Sequence, residues 1–406
     1  MQRVRSLVRA AHLWLGLSLG AVFVLLGISG SILIFYQEID AAIHPEIRVA
    51  ARGPAPGWDS GVWDTSLATV RRQWPERDGA WRFEVTGEPG PIAARYMPPD
   101  AGHHGERVMV WLDPDGTRVL REAAWGSYAM TWIYNLHMQL AVGPVGRDVV
   151  GWAGLIMLLL LLTGLWAWWP RGNWRKALRY KRGASPVRTL RDIHKLAGLA
   201  SMPLLVMLVV TGVMLALPEQ SNAVLSQMTG PVDKTPTAKS EFQNRPPLSI
   251  GAALAIAHRA MPEGRLAWVE APGQPDGTFI VRIQQPGDPS YRFPHSYVFV
   301  DQFSGTVVGL QDSQRASTST TANNWLHPLH DASLGGLTFR WLIAAIGICP
   351  TLLFITGLLR WRSRSAHPPS TPRTAKSRDT QWETYSASPE MRREMHRNRK
   401  NPIWRR

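Results

Sequence analysis

Four stretches of the chain, at about residues 13–35, 149–169, 196–217 and 339–359, are almost unbroken runs of apolar residues. About 20 such residues carry an α-helix across the hydrocarbon core of a bilayer. Four buried helices of a soluble protein are the alternative reading, but core helices are usually shorter and polar along one face. The runs therefore predict four membrane spans. Charge then sets their direction, because short segments rich in Lys and Arg stay on the cytoplasmic side. The N-terminus (MQRVRSLVR), the segment between the second and third runs, and the tail after residue 359 hold 25 of the 45 Lys and Arg residues but only 5 of the 30 acids. Both ends and the middle segment are thus expected inside, and two large segments outside. The net charge of +15 reads as a membrane-topology signal involving lipid headgroups rather than as a nucleic-acid surface, since the basic residues hug the membrane.

The expected order is an N-terminus and first span (1–36), an outside domain (37–148), a second span (149–169), a basic loop (170–194), a third span (195–217), a second outside domain (218–338), a fourth span (339–361) and a basic tail (362–406). The first span is too long for a signal-peptide core and lacks a clean small-x-small cleavage site, so it is expected to be retained. The polar, Pro- and Ser-containing tail is expected to be disordered. The single cysteine, Cys349, excludes an intrachain disulfide and any Cys-based cluster.

An internal repeat links the halves. Aligned on His12 and His194, an arginine lies three residues before each (Arg9, Arg191) and a glycine four after (Gly16, Gly198). A small residue plus glycine follows at 17 and 18 after: Ser29-Gly30 and Thr211-Gly212. Aligned on His137 and His330, a tryptophan lies five before (Trp132, Trp325) and an arginine ten after (Arg147, Arg340). A Thr-Gly pair lies 26 and 27 after (Thr163-Gly164, Thr356-Gly357) and a tryptophan 31 after (Trp168, Trp361). The chain is read as a tandem duplication, each half being span, outside domain, span. The expected fold class is therefore an α-helical membrane protein with two α+β domains outside. In the second domain a helix is expected at 249–260 and strands at 266–270, 278–284, 296–301 and 306–310. In the first, a helix is expected near 65–73 and a hairpin in VMVWLDPDGTRVL. Residues 51–57 and 231–247 read as linkers.

Topology decides which histidines can meet. His12 and His194 open spans that start inside; His137 and His330 precede spans that start outside. A pseudo-two-fold axis along the membrane normal pairs each set, giving one imidazole pair on each side. Polar groups at membrane depth are costly and usually functional. Facing imidazoles between helices are the axial ligands of a low-spin b-type haem, and Gly16 and Gly198 leave flat helix faces beside them. The expected cofactors are two such haems, with iron held by His12, His194, His137 and His330. Arg147 and Arg340, outside, are candidate partners for haem propionates. A three-ligand metal site from His137, His327 and His330 is a further reading. A proton relay is disfavoured because no span carries an acid at its middle. His327 breaks the repeat, with Tyr134 at the matched position.

The H-x3-G span starts, the Leu-His pairs before the inward spans, the [ST]-G pairs and the V-x-[VL]-D…G-x-V hairpins together resemble the PepSY-associated transmembrane-helix family, over nearly the whole chain to Trp361. That resemblance implies an iron-regulated protein of the bacterial inner membrane with two periplasmic PepSY-like domains. It also implies that the four matched histidines are the family's histidine positions. In one branch it implies a haem-dependent oxidoreductase that reduces ferric siderophores. The chain shows no GxGxxG fingerprint after a strand, so no NAD or FAD domain is expected, and the electron donor would be a separate reductase, a quinol or a free flavin. The alternative is a non-enzymatic PepSY-domain protein binding peptide or a partner, or a haem or metal uptake protein.

Overall fold

The computed structural model describes residues 2–50, 53–99, 107–170 and 172–365. Of the tail expected to be disordered, residues 362–365 continue the last helix and the rest lies outside the described residues. The helices are α1 (Gln2–Leu33), α2 (Tyr36–Ile43), α3 (Val62–Gln73), α4 (Ala129–Gln139), α5 (Pro144–Trp168), α6 (Trp174–Leu178), α7 (Pro186–Ala216), α8 (Pro218–Thr229), α9 (Ile250–Ala260), α10 (Thr318–His330) and α11 (Gly336–Ser365). The strands are β1 (Ala80–Glu84), β2 (Ile92–Met97), β3 (Val108–Leu112), β4 (Val119–Ala124), β5 (Arg265–Ala271), β6 (Thr278–Gln284), β7 (Ser296–Asp301) and β8 (Val307–Gln311). Apart from the short α6, the order repeats: three helices, four strands, two helices, then the same again.

The four apolar runs lie in α1, α5, α7 and α11, and each of these helices is long and apolar enough to cross a membrane. They extend beyond the apolar runs because their polar ends continue the same helical hydrogen-bonding ladder. Small residues set their spacing. In α1 and α11, Gly27 and Gly347 meet backbone to backbone, and the Ser31 hydroxyl donates to the Ala344 carbonyl across the same crossing, at 2.8 Å. In α5, Gly151 and Gly154 receive Leu217 and Val213. Such small-residue contacts bring membrane helices close enough for dispersion and interhelical hydrogen bonds to hold them. The helices α5 and α11 also start alike: Gly143 and Gly336 both adopt positive φ (76° and 62°), a conformation glycine enters without steric cost.

The expected strands appear within a residue or two, and β1 and β2 join them. The two outside segments do not fold on separate sheets. Their meanders join edge to edge through an antiparallel β1–β5 seam, giving one eight-stranded sheet of order β4-β3-β2-β1-β5-β6-β7-β8. In the seam, Trp81 pairs with Ala271 and Phe83 with Val269. Side chains alternate across a strand, so Trp81 and Phe83 point to one face with Ala94, Val110, Val281 and Val298, and α3 and α9 cover them. Asp64 of α3 accepts from the backbone amides of Ile250 and Gly251 at the start of α9, at 2.6 and 3.0 Å. One acid thus caps the other half's helix, where the helix dipole favours negative charge. The opposite face of the sheet carries Met109 and Trp111, packed against Ile32, Leu33 and Tyr36 from the end of α1 and the start of α2.

The close α1–α11 crossing is directly testable. A Cβ at Gly27 would overlap the Gly347 carbonyl oxygen, whereas nothing lies within 4 Å of one at Gly57. Gly27→Val should destabilise the protein by about 1–3 kcal/mol and lower its melting temperature in detergent. Gly57→Ala should leave that temperature unchanged.

Candidate functional site: four histidine cradles at two levels

The four matched histidines are brought together in the pairs their topology suggested. The rings of His12 and His194 lie 6.3 Å apart, centroid to centroid, with planes at 87°. Those of His137 and His330 lie 6.1 Å apart, with planes at 43°. His12 and His194 sit on the membrane helices α1 and α7. His137 and His330 sit near the ends of the short helices α4 and α10, one turn of chain before α5 and α11. Helices α4 and α10 are not separated from the approaches to the spans in the sequence, because both are short and only partly apolar.

Each imidazole is gripped in the same way. The Nδ1 of His12 lies 3.1 Å from the Leu160 carbonyl and 3.3 Å from the Thr163 hydroxyl. His194 Nδ1 meets the Leu353 carbonyl and the Thr356 hydroxyl, both at 3.0 Å. His137 Nδ1 meets the Leu26 carbonyl and the Ser29 hydroxyl, both at 3.0 Å. His330 Nδ1 lies 3.0 Å from the Thr211 hydroxyl, with the Leu208 carbonyl as its backbone acceptor.

These contacts fix the tautomer. Each hydroxyl donates its proton into its own helix: Ser29 to Leu25, Thr163 to Leu160, Thr211 to Met207 and Thr356 to Leu352, at 2.7–2.9 Å. A hydroxyl that has given away its proton can only accept from the imidazole, and a carbonyl accepts in any case. Nδ1 must therefore carry the hydrogen, which places the lone pair on Nε2. A ring held at Nδ1 by a backbone or side-chain acceptor is oriented to bind metal through the other nitrogen.

The glycine of each [ST]-G pair makes room for the ring. A Cβ at Gly30 would come 2.8 Å from His137 Cε1, at Gly164 2.8 Å from His12 Cε1, and at Gly212 3.0 Å from His330 Cε1. Only Gly357 leaves ordinary contact distance to His194, 3.7 Å. The sequence shows these pairs at fixed offsets, but their function as histidine cradles needs the fold, because each cradle lies on a different helix from its histidine. Burial holds His137 below the ordinary imidazole range, partly offset by the Leu26 carbonyl. Burial, with His137 and His327 adding to it, pushes His330 down to about 3. Both rings on this level are therefore neutral, the form that binds metal.

The two levels are well separated. On α1, His12 and the His137 cradle at Ser29 are 17 residues apart, about 25 Å along the helix axis, which approaches the thickness of the hydrocarbon core. Among the described residues no group of three or more His, Cys, Asp or Glu could hold a metal ion. The three-ligand reading of His137, His327 and His330 is therefore not assembled. Arg340 is engaged elsewhere: it pairs with Glu38 at 2.6 Å and lies over the Phe35 ring. Arg147 has a buried Nε with no hydrogen-bond partner.

The model of the PepSY-associated TM region matches residues 9–364, which include all four histidines and all four cradles. An uncharacterized protein of Pseudomonas aeruginosa is 28% identical over 265 residues, covering 59% of this chain. The chain spans about 65% of the length of that relative. With the four apolar helices, the antiparallel sheet and a family match running from before the first histidine to beyond the last cradle, the chain is a membrane protein that belongs to the PepSY-associated transmembrane family.

Proposed function

We propose that this protein is a di-haem b oxidoreductase of the bacterial inner membrane that carries electrons from the cytoplasmic side to an acceptor outside, a ferric siderophore. The observation that carries the reading is the fourfold cradle: four imidazoles gripped at Nδ1 in the same way, set in two pairs on two levels. Each cradle takes Nδ1 and leaves Nε2 for a metal, and a metal shared by two imidazoles at bonds of about 2 Å would need ring centroids about 6 Å apart. The observed 6.3 and 6.1 Å fit that spacing. His12 and His194 would hold one haem, and His137 and His330 the other. Bound haem supplies a one-electron couple whose potential follows ligation, burial and hydrogen bonding.

The remaining parts of the reading concern what the chain itself does. In this reading both termini and the α5–α7 loop, rich in Lys and Arg, lie inside, and the sheet lies in the periplasm. A tandem duplication accounts for the matched offsets. The cradles hold ring orientation, and the neutral rings of His137 and His330 avoid placing charge at membrane depth. A separate reductase, quinol or flavin supplies electrons. Iron(II) is held less tightly than iron(III) by hard oxygen ligands, so reduction favours release.

Purified protein should contain about two low-spin b-type haems per chain, measured by absorption before and after dithionite. His12→Ala and His194→Ala should each remove the same haem, and His137→Ala and His330→Ala the other. A colourless protein that also fails to take up added hemin would sink the reading. Haem that exchanges freely with acceptor proteins would favour uptake over electron transfer.

The cradle hydroxyls give a finer test. Thr211→Val keeps the shape but removes the acceptor for His330 Nδ1. Outer-shell losses of this kind cost about 10–100-fold in affinity, so the outer haem should be retained more weakly while the inner one is unaffected.

A further inference from the structure

The sheet face turned away from α3 and α9 carries a concentration of arginines. Strand alternation places Arg82 and Glu84 of β1, Arg95 of β2 and Arg282 of β6 there, and the β6–β7 loop adds Arg292 and Phe293. The guanidinium carbons of Arg95, Arg282 and Arg292 lie 6.0, 5.6 and 5.2 Å from the centroid of the one Phe293 ring. Three cations around one ring repel each other unless anions intervene. Among the described residues, Arg292 and Arg95 share one carboxylate at ion-pair distance, Arg82 pairs with Glu270, and Asp331 and Asp288 lie only within electrostatic reach of Arg292 and Arg282. Glu84 accepts from Arg292 at 2.6 and 2.9 Å and lies 3.8 Å from Arg95. Arg282 spends its donors on the Phe293 and Pro294 carbonyls, and no described acid forms an ion pair with it. The Nε of Arg95 is buried without a hydrogen-bond partner.

This charge lies over the His137/His330 level. Tyr134 and His327 each stand three residues, one helical turn, before the histidine of their own helix. Tyr134 is within electrostatic reach of Arg95 and Arg292, and His327 of Arg282. Tyr134 is partly buried and His327 is exposed, so this side of the arginine cluster is open to solvent. Arg292 keeps 32% of its side chain exposed. The cluster is also aromatic: Trp268 stacks on Phe293 at 5.8 Å, and Arg95 lies 4.5 Å over Trp268. Guanidinium groups beside aromatic faces suit flat, oxygen-rich anions.

We propose that this cluster binds a polyanionic iron chelate, one whose metal is held by catecholate or carboxylate oxygens, above the outer histidine pair. The proposal rests on the reductase reading and narrows its substrate class: neutral and cationic chelates are disfavoured. The burial of this charge shows in Arg95 itself. Burial, opposed by Glu84 but reinforced by Arg292 and Arg82, pushes its guanidinium down to about 10.

Gallium(III) tris-catecholate is a redox-inert trianion, so its binding reports on the cluster whether or not the protein transfers electrons. Calorimetry with the purified full chain should show binding that weakens as salt rises, and a neutral gallium(III) trihydroxamate should bind about tenfold or more weaker. Arg95→Gln and Arg282→Gln should each weaken the trianion about tenfold with haem content unchanged, and Arg95→Lys should recover part of the loss. No binding by the wild-type chain, or equal affinity for the neutral chelate, would overturn the proposal without touching the haem reading. So would glutamine variants that lose the outer haem while binding the trianion normally, since the arginines would then serve the carboxylates of the tetrapyrrole. If the variants do not fold, the salt dependence and the neutral-chelate comparison decide on the wild-type chain alone.

Discussion

Everything at the two histidine levels depends on one hydrogen bond made four times, from an imidazole Nδ1 into the backbone of a neighbouring membrane helix. Carbonyls inside a helix are already engaged, so a second donor reaches one only where the ring can approach closely. The [ST]-G pair allows this: the glycine removes the side chain that would block the ring, and the hydroxyl, bonded back to its own helix, offers an added acceptor. An unsatisfied N–H at membrane depth is expensive. The contact therefore satisfies a buried donor and settles at once which ring nitrogen keeps the lone pair. It also ties helices together, because no histidine is cradled by its own helix. His12 ties α1 to α5, His194 ties α7 to α11, His137 ties α4 to α1, and His330 ties α10 to α7.

The sequence showed much of this, and the reason is the repeat. One histidine on an apolar face says little. Two histidines with a glycine at the same offset, followed at a second fixed offset by a small-Gly pair, mark positions where the same local geometry is needed twice. Helix direction alone then sorted His12 with His194 and His137 with His330, since a residue that opens a span from one side cannot meet one on the other. The apolar runs and the β5–β8 pattern were legible for the ordinary reason that periodicity reflects burial. The cradles were not, because offset shows that Thr163 matters with His137's repeat unit, whereas space assigns Thr163 to His12. Nor was the β1–β5 seam, which pairs strands nearly two hundred residues apart. Strand β1 (AWRFE) is short and carries two charges that look like surface, although Glu84 is buried among arginines.

The place where the repeat fails is informative in the same way. Tyr134 and His327 occupy matched positions but differ in chemistry, while the histidines one turn later are identical. Positions under the same demand keep the same residue, so the demand at this turn differs between halves. The sheet above is asymmetric as well. Arg282 of the second half faces His327, whereas Arg95 of the first half and Arg292 of the second both face Tyr134. A symmetric frame thus carries an asymmetric set of charges at this turn.

The two-half construction follows from the chemistry of the pairs. Each half places one imidazole at each level, so neither half alone can present two rings to one metal at either level. The halves must then be held in register more tightly than membrane packing alone provides, since lipid tails are as apolar as the helices and supply no hydrophobic drive between them. The β1–β5 ladder and the Asp64 cap on α9 supply that register from the watery side, where strand pairing and a buried apolar core do contribute. A one-residue slip in the seam would turn Trp81 and Phe83 out of the core and Arg82 into it. The seam therefore resists the very displacement that would pull His137 and His330 apart.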